Sequence, residues 1–183
     1  RPQPVLQQPA HGLRLFPGEH VPTFRQQVQL RTGNAAGQGA TLEKLLFNYP
    51  KKDYWAIYLG RLPRKAGFAD RFTLDVMRLK LATGTLGKTD EFMEMAQLSL
   101  QAGMPAEALR IIDQGYKTGA LGTGAEAARH QRLKDLAVKQ NGEVKAALAQ
   151  NAIDALAQNT GDDAVKVGTQ YVSFGEIDKG LEL

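Results

Sequence analysis

TDEFMEMAQLSLQAGMPAEALRIIDQGYKTGA, from Thr89 to Ala120, reads as two amphipathic helices joined by a tight turn. Thr89 is a good N-cap, and Asp90 and Glu91 follow in the first turn, where the helix dipole favours carboxylates. Phe92, Met95, Ala96, Ser99 and Leu100 recur at helical spacing. Gly103 stops the first helix, because glycine takes a left-handed backbone without steric cost. Pro105 opens the second at a position where its missing N–H is not needed. Ala108, Leu109, Ile112 and Tyr116 form one apolar face of that helix, and Gly119 marks its exit.

Counted from Thr89, Ala96, Gly103 and Ala108 fall on positions eight, fifteen and twenty, where tetratricopeptide (TPR) repeats place a small residue, a glycine and an alanine. The small residues let two helices cross closely. Upstream, TLEKLLFNYP sets Leu42, Leu45, Leu46 and Tyr49 on one face and ends at Pro50, where a repeat would close. The next unit carries Leu59-Gly60 and then Gly67, 36 residues before Gly103. It departs from the pattern at Pro63, which ends or kinks a helix, and at Phe72, which replaces the small residue. Beyond Ala120, Leu133, Leu136 and Ala137 mark one helix, Asn141-Gly142 a turn, and Val144, Ala147, Leu148, Ala152 and Leu156 another. In the last stretch Val167, Gly168, Tyr171, Gly175 and Ile177 take positions seven, eight, eleven, fifteen and seventeen, with Leu181 continuing into a second helix.

Residues 41–183 thus resemble the TPR family. The segments YPKKDYW, GFADRF, LATGTL, FMEMAQ and GTGAEAARH are similar to a group of proteobacterial TPR proteins of no assigned activity. Members of that group usually carry an export signal ahead of a longer array, so the resemblance implies a periplasmic or otherwise exported protein. The implied fold is all-α, a right-handed α-solenoid with units near 53–88, 89–122, 123–160 and 161–183, the last truncated. The sequence begins with Arg1 and stops inside what reads as a helix, so a fragment of a longer protein is expected. Residues 1–40 hold five of the eight prolines, many glutamines and a Gly-rich end, TGNAAGQGA, and read as an irregular arm without a PxxP core.

Composition narrows the chemistry. A chain of 183 residues holds one ordinary domain or about four 34-residue helical repeats. Without cysteine there is no thiolate zinc site, disulfide or thiol nucleophile. Four arginines and one glutamate in residues 1–40 leave 19 basic against 18 acidic residues in the rest. The net charge of +4 therefore belongs mostly to the arm, and the nearly neutral body argues against nucleic-acid binding. No apolar run approaches the length of a membrane span.

Ala82 to Thr89, ATGTLGKT, satisfies the permissive phosphate-loop pattern, which needs backbone amides around phosphates, a lysine and a hydroxyl on magnesium. Such a loop follows a buried strand, whereas Phe72, Val76, Leu79 and Lys80 predict a helix here. Nucleotide binding is thus a distant alternative. His11 and His20 lie in the arm and His130 on a polar helix face, without metal-ligand spacing. Asp162, Asp163, Glu176 and Asp178 read as solvated helix-end carboxylates rather than a catalytic pair. No enzyme, cofactor or metal is expected.

A surface is left to carry function. In TPR arrays positions two, five, nine, twelve and thirteen line a concave groove for extended peptides or helices. By resemblance these are Tyr54, Ile57, Arg61, Arg64 and Lys65 in one unit, with Pro63 unsettling the last two. In the next they are Asp90, Met93, Gln97, Leu100 and Gln101, followed by Asp162, Val165, Thr169, Val172 and Ser173. The Lys and Asn that clamp a terminal carboxylate are missing from positions five and nine. Met93 and Leu100 either meet a partner's apolar side chain or pack on a neighbouring repeat. The expectation is a non-catalytic scaffold for a protein or peptide, and the alternative is a spacer array positioning another domain.

Overall fold

A computed structural model describes residues 33, 35–158 and 161–183, which form eight α-helices and no strand. The described residues fall into two compact units that part between Leu62 and Pro63. The division falls inside the stretch 53–88 that the sequence suggests as one repeat.

In the first unit, α1 (Ala35–Asn48) and α2 (Lys52–Arg61) form a hairpin across Pro50, whose preceding residue disfavours helix. Leu42, Leu45, Leu46 and Tyr54 make its core, with Tyr49, Trp55 and Tyr58 packed around them. The Trp55 and Tyr58 rings meet edge to face at 6.4 Å. Helix α1 begins six residues before the boundary placed at 40, so TGNAAGQGA is helical over its last six residues rather than irregular. The alanines there favour helix and outweigh the two glycines. The rest of the arm lies outside the described residues, apart from Gly33. Helix α2 stops at Arg61, and Leu62–Arg64 forms a single 3₁₀ turn around Pro63.

The second unit is built on α3 (Thr73–Ala82), α4 (Thr89–Gln101), α5 (Pro105–Lys117), α6 (Ala127–Leu156), α7 (Gly161–Ser173) and α8 (Ile177–Leu181). Helices α4 and α5 form the expected hairpin. Ala96 and Ala108 are fully buried where the helices cross, and Phe92, Met95, Ile111 and Ile112 fill the space beside them. Each large apolar side chain so buried contributes roughly 1.5–3 kcal/mol. Gly103 has φ +73°, and the Met104 amide donates back to the Ser99 carbonyl at 2.9 Å, closing the helix end. Helix α3 is tied to this hairpin by Arg78, whose guanidinium donates to both oxygens of Glu107 at 2.7 Å.

The amino end of α4 departs from expectation. Thr89 is the first helical residue, and its hydroxyl donates to the Ala120 carbonyl at 2.7 Å instead of capping. The free amides are met by Glu91, whose carboxylate accepts from Gly87 and Lys88 at 3.2 Å each.

The larger correction is α6. The hairpin inferred at Asn141-Gly142 is one continuous helix of 30 residues, about 45 Å long. Gly142 keeps a helical backbone, which costs only about 1 kcal/mol relative to alanine. That cost is offset at both ends. Leu133 and Ala137 join the α4–α5 core, while Leu148 and Ala155 join a second core with Val167 and Tyr171 of α7. Helices α7 and α8 touch backbone to backbone: a Cβ on Gly168 would lie 2.7 Å from the Gly180 carbonyl oxygen. Helix α7 ends over the α4–α5 turn. There the Gln170 side-chain amide donates to the Gly103 carbonyl at 3.1 Å, and Arg110 donates to the Ser173 carbonyl.

Candidate partner-binding cleft

One face of α4 presents Thr89, Asp90, Met93, Glu94 and Gln97, spaced by one and two helical turns. The loop 118–126 turns the chain so that Glu126, Arg129 and His130, at the start of α6, stand opposite. Between them lies an open cleft of about 240 Å³. Met93 is 6% exposed and belongs to the core, so it offers the cleft only an edge of apolar floor.

Three carboxylates, Asp90, Glu94 and Glu126, face a single guanidinium. Arg129 pairs with Glu126 at 3.5 Å, both well exposed, an arrangement worth little in stability. Asp90 and Glu94 enter no ion pair among the described residues. The cleft therefore carries net negative charge over a small apolar floor.

His130 corrects a sequence reading. It is 3% exposed rather than solvated, and its Nδ1 accepts the Gly122 amide hydrogen at 3.1 Å. In the neutral ring that bond places the proton on Nε2. The signal was present in the spacing, since His130, Leu133 and Ala137 lie on one helical stripe.

Of the residues proposed for a groove, Asp90, Met93 and Gln97 meet in this cleft. Leu100 is half-buried against the core, and Gln101 is exposed, but neither lines the cleft. Val165 is 69% exposed on α7, where the Thr169 hydroxyl donates to its carbonyl; Ser173 on the same helix is buried. In the first unit Tyr54 is 2% exposed and cannot receive a partner, while Ile57 is exposed and Arg61 half-buried. No family model, curated protein or solved structure matches the chain.

In the phosphate-loop-like stretch, helix α3 precedes the loop. The Gly87 and Lys88 amides are given to Glu91, the Thr89 hydroxyl to Ala120, and the Thr83 and Thr85 hydroxyls reach the Lys80 carbonyl. Among the described residues no group of three or more acidic or histidine side chains is placed to hold a metal. No described helix is long and apolar enough to cross a membrane.

Proposed function

We propose that this protein is a TPR-like interaction scaffold without catalytic activity, whose α4–α6 cleft takes a basic segment of a protein partner. The observation that carries this reading is the pair of carboxylates, Asp90 and Glu94, which enter no ion pair among the described residues and stand beside the Met93 floor. A lysine or arginine stem on a bound peptide would cover the apolar edge while its head meets the acids. The repeat architecture is supported by a recurring frame. Ala96 and Ala108 cross twelve residues apart, as do Gly168 and Gly180, and the positive-φ turn glycines Gly103 and Gly175 are 72 residues apart, about two repeats. The solenoid and its right hand are part of the proposal, and export rests on the resemblance alone.

Selection from a random peptide library tests it. The whole chain is expected to enrich Lys- or Arg-bearing peptides with Kd on the order of 1–100 μM. Asp90→Asn/Glu94→Gln should weaken them at least about tenfold at unchanged helical circular dichroism. Enrichment indifferent to charge, or to that variant, would remove the cleft from consideration. A spacer function is the second reading, and the 30-residue α6, which joins two cores, is what favours it.

A further inference from the structure

The α4–α6 cleft holds a hydrogen-bond donor that a partner's cation leaves unused. His130 is 3% exposed and lines the cleft from the α6 side. Its Nδ1 edge faces the loop and accepts the Gly122 amide hydrogen, the ring's only hydrogen bond among the described residues. The opposite edge carries the Nε2–H, which is not among the enclosed polar atoms and so opens on the cleft that the ring lines. Burial and the Gly122 bond hold the ring in one orientation, so this donor is aimed before anything binds.

The two walls therefore ask for opposite things. On α4, Asp90 and Glu94 are acceptors that call for a cation. On α6, the Nε2–H calls for an oxygen. Arg129 is a poorer anchor for that oxygen, because it is 58% exposed and already pairs with Glu126. The charge of the cleft decides which oxygen suits. Three carboxylates against one guanidinium leave an excess of two negative charges, which repels a ligand carboxylate and leaves a neutral carbonyl unopposed.

We propose that the cleft reads a lysine or arginine held within a chain, its cation on Asp90 and Glu94 and a peptide carbonyl beside it on the His130 Nε2–H. The inference rests on the acidic-cleft reading above. It adds a second point of attachment on the facing helix, and it excludes a basic residue that ends in a free carboxylate.

Amide-resolved NMR titration of the whole 183-residue chain tests it with three probes: a doubly blocked Ala-Lys-Ala, an acetylated Ala-Ala-Lys with a free carboxylate, and n-butylammonium. Blocked Ala-Lys-Ala should give saturable shifts centred on residues 89–97 and 126–130, with Kd of about 1 mM or below. The other two should bind at least about fivefold more weakly. His130→Asn keeps an acceptor for the Gly122 amide but has no donor on the cleft side. It should bring the blocked peptide down to the level of n-butylammonium at unchanged circular dichroism. The longer His130→Gln side chain places an N–H near the Nε2 position and should restore most of the difference. Equal binding of blocked peptide and n-butylammonium, both weakened by Asp90→Asn/Glu94→Gln, would overturn this inference and leave the acidic cleft standing. A free-acid peptide as tight as the blocked one, or indifference to His130→Asn, would overturn it too. No saturation by any probe at about 10 mM would remove both readings.

Discussion

Gly168 and Gly180 leave no room for a methyl group between α7 and α8, since the atom met by an added Cβ is backbone and cannot swing aside. Gly168→Ala should therefore cost about 1–3 kcal/mol in urea unfolding. Gly142→Ala, in open space within a helix, should instead gain up to about 1 kcal/mol. Equal effects at the two sites would contradict the close crossing. Glu91 makes a pH-dependent contribution. Burial raises its pKa, but the Lys80 ammonium at 2.9 Å and the Gly87 and Lys88 amides outweigh that and hold it below the usual carboxylate value. A depressed folded pKa means stability that is present above the unfolded value of about 4.3 and lost as pH falls through the folded one. At pH 7 Glu91→Gln should cost about 0.5–2 kcal/mol, as for a lost helix cap. The gap between the two proteins should close in denaturation curves taken progressively below about pH 4. A gap that persists there would deny Glu91 the role.

Arg132 and Ala149 are separated by 17 positions along α6, so spin labels on Arg132→Cys/Ala149→Cys should sit about 26 Å apart along the axis. A turn at Asn141-Gly142 would bring them to about the 10 Å of packed helices. The absence of native cysteine makes the labelling unambiguous. The element was misread because Asn-Gly is a strong local turn signal, whereas the evidence for continuity is spread over the 23 residues from Leu133 to Ala155. Leu133, Ala137, Asn141, Val144, Leu148, Asn151 and Ala155 follow steps of three and four, one unbroken stripe. By contrast the α4–α5 hairpin was legible from neighbours alone, since Gly103, Pro105 and the small residues at the crossing each act within a turn or two. The cleft was half legible for the same reason. The resemblance to TPR repeats put Asp90, Met93 and Gln97 on one face of α4, but only the path of the loop 118–126 brings Glu126, Arg129 and His130 across from them. Burial of Met93 and Tyr54 likewise depends on what packs over them, which face periodicity does not report.

At the scale of the molecule, the cores of the second unit, with the partly buried side chains packed on them, are drawn from residues 74–137 and 148–183, all on one side of Leu62. A chain reduced to residues 63–183 should keep its helical circular dichroism and melt within a few degrees of the whole protein. Loss of cooperative melting would show that the unit is not self-sufficient. The same locality bears on how the chain reaches its native state. A core collected from a single window closes short loops, and helical proteins of low contact order fold in microseconds to milliseconds. The longest ties described, Gln170 to Gly103 and Arg110 to Ser173, span 67 and 63 residues. Closing so long a loop costs more than closing the short ones within either core. The docking of α7 onto the α4–α5 turn is therefore expected to come late, so that in stopped-flow measurements substitutions there should speed unfolding while leaving the folding rate nearly unchanged.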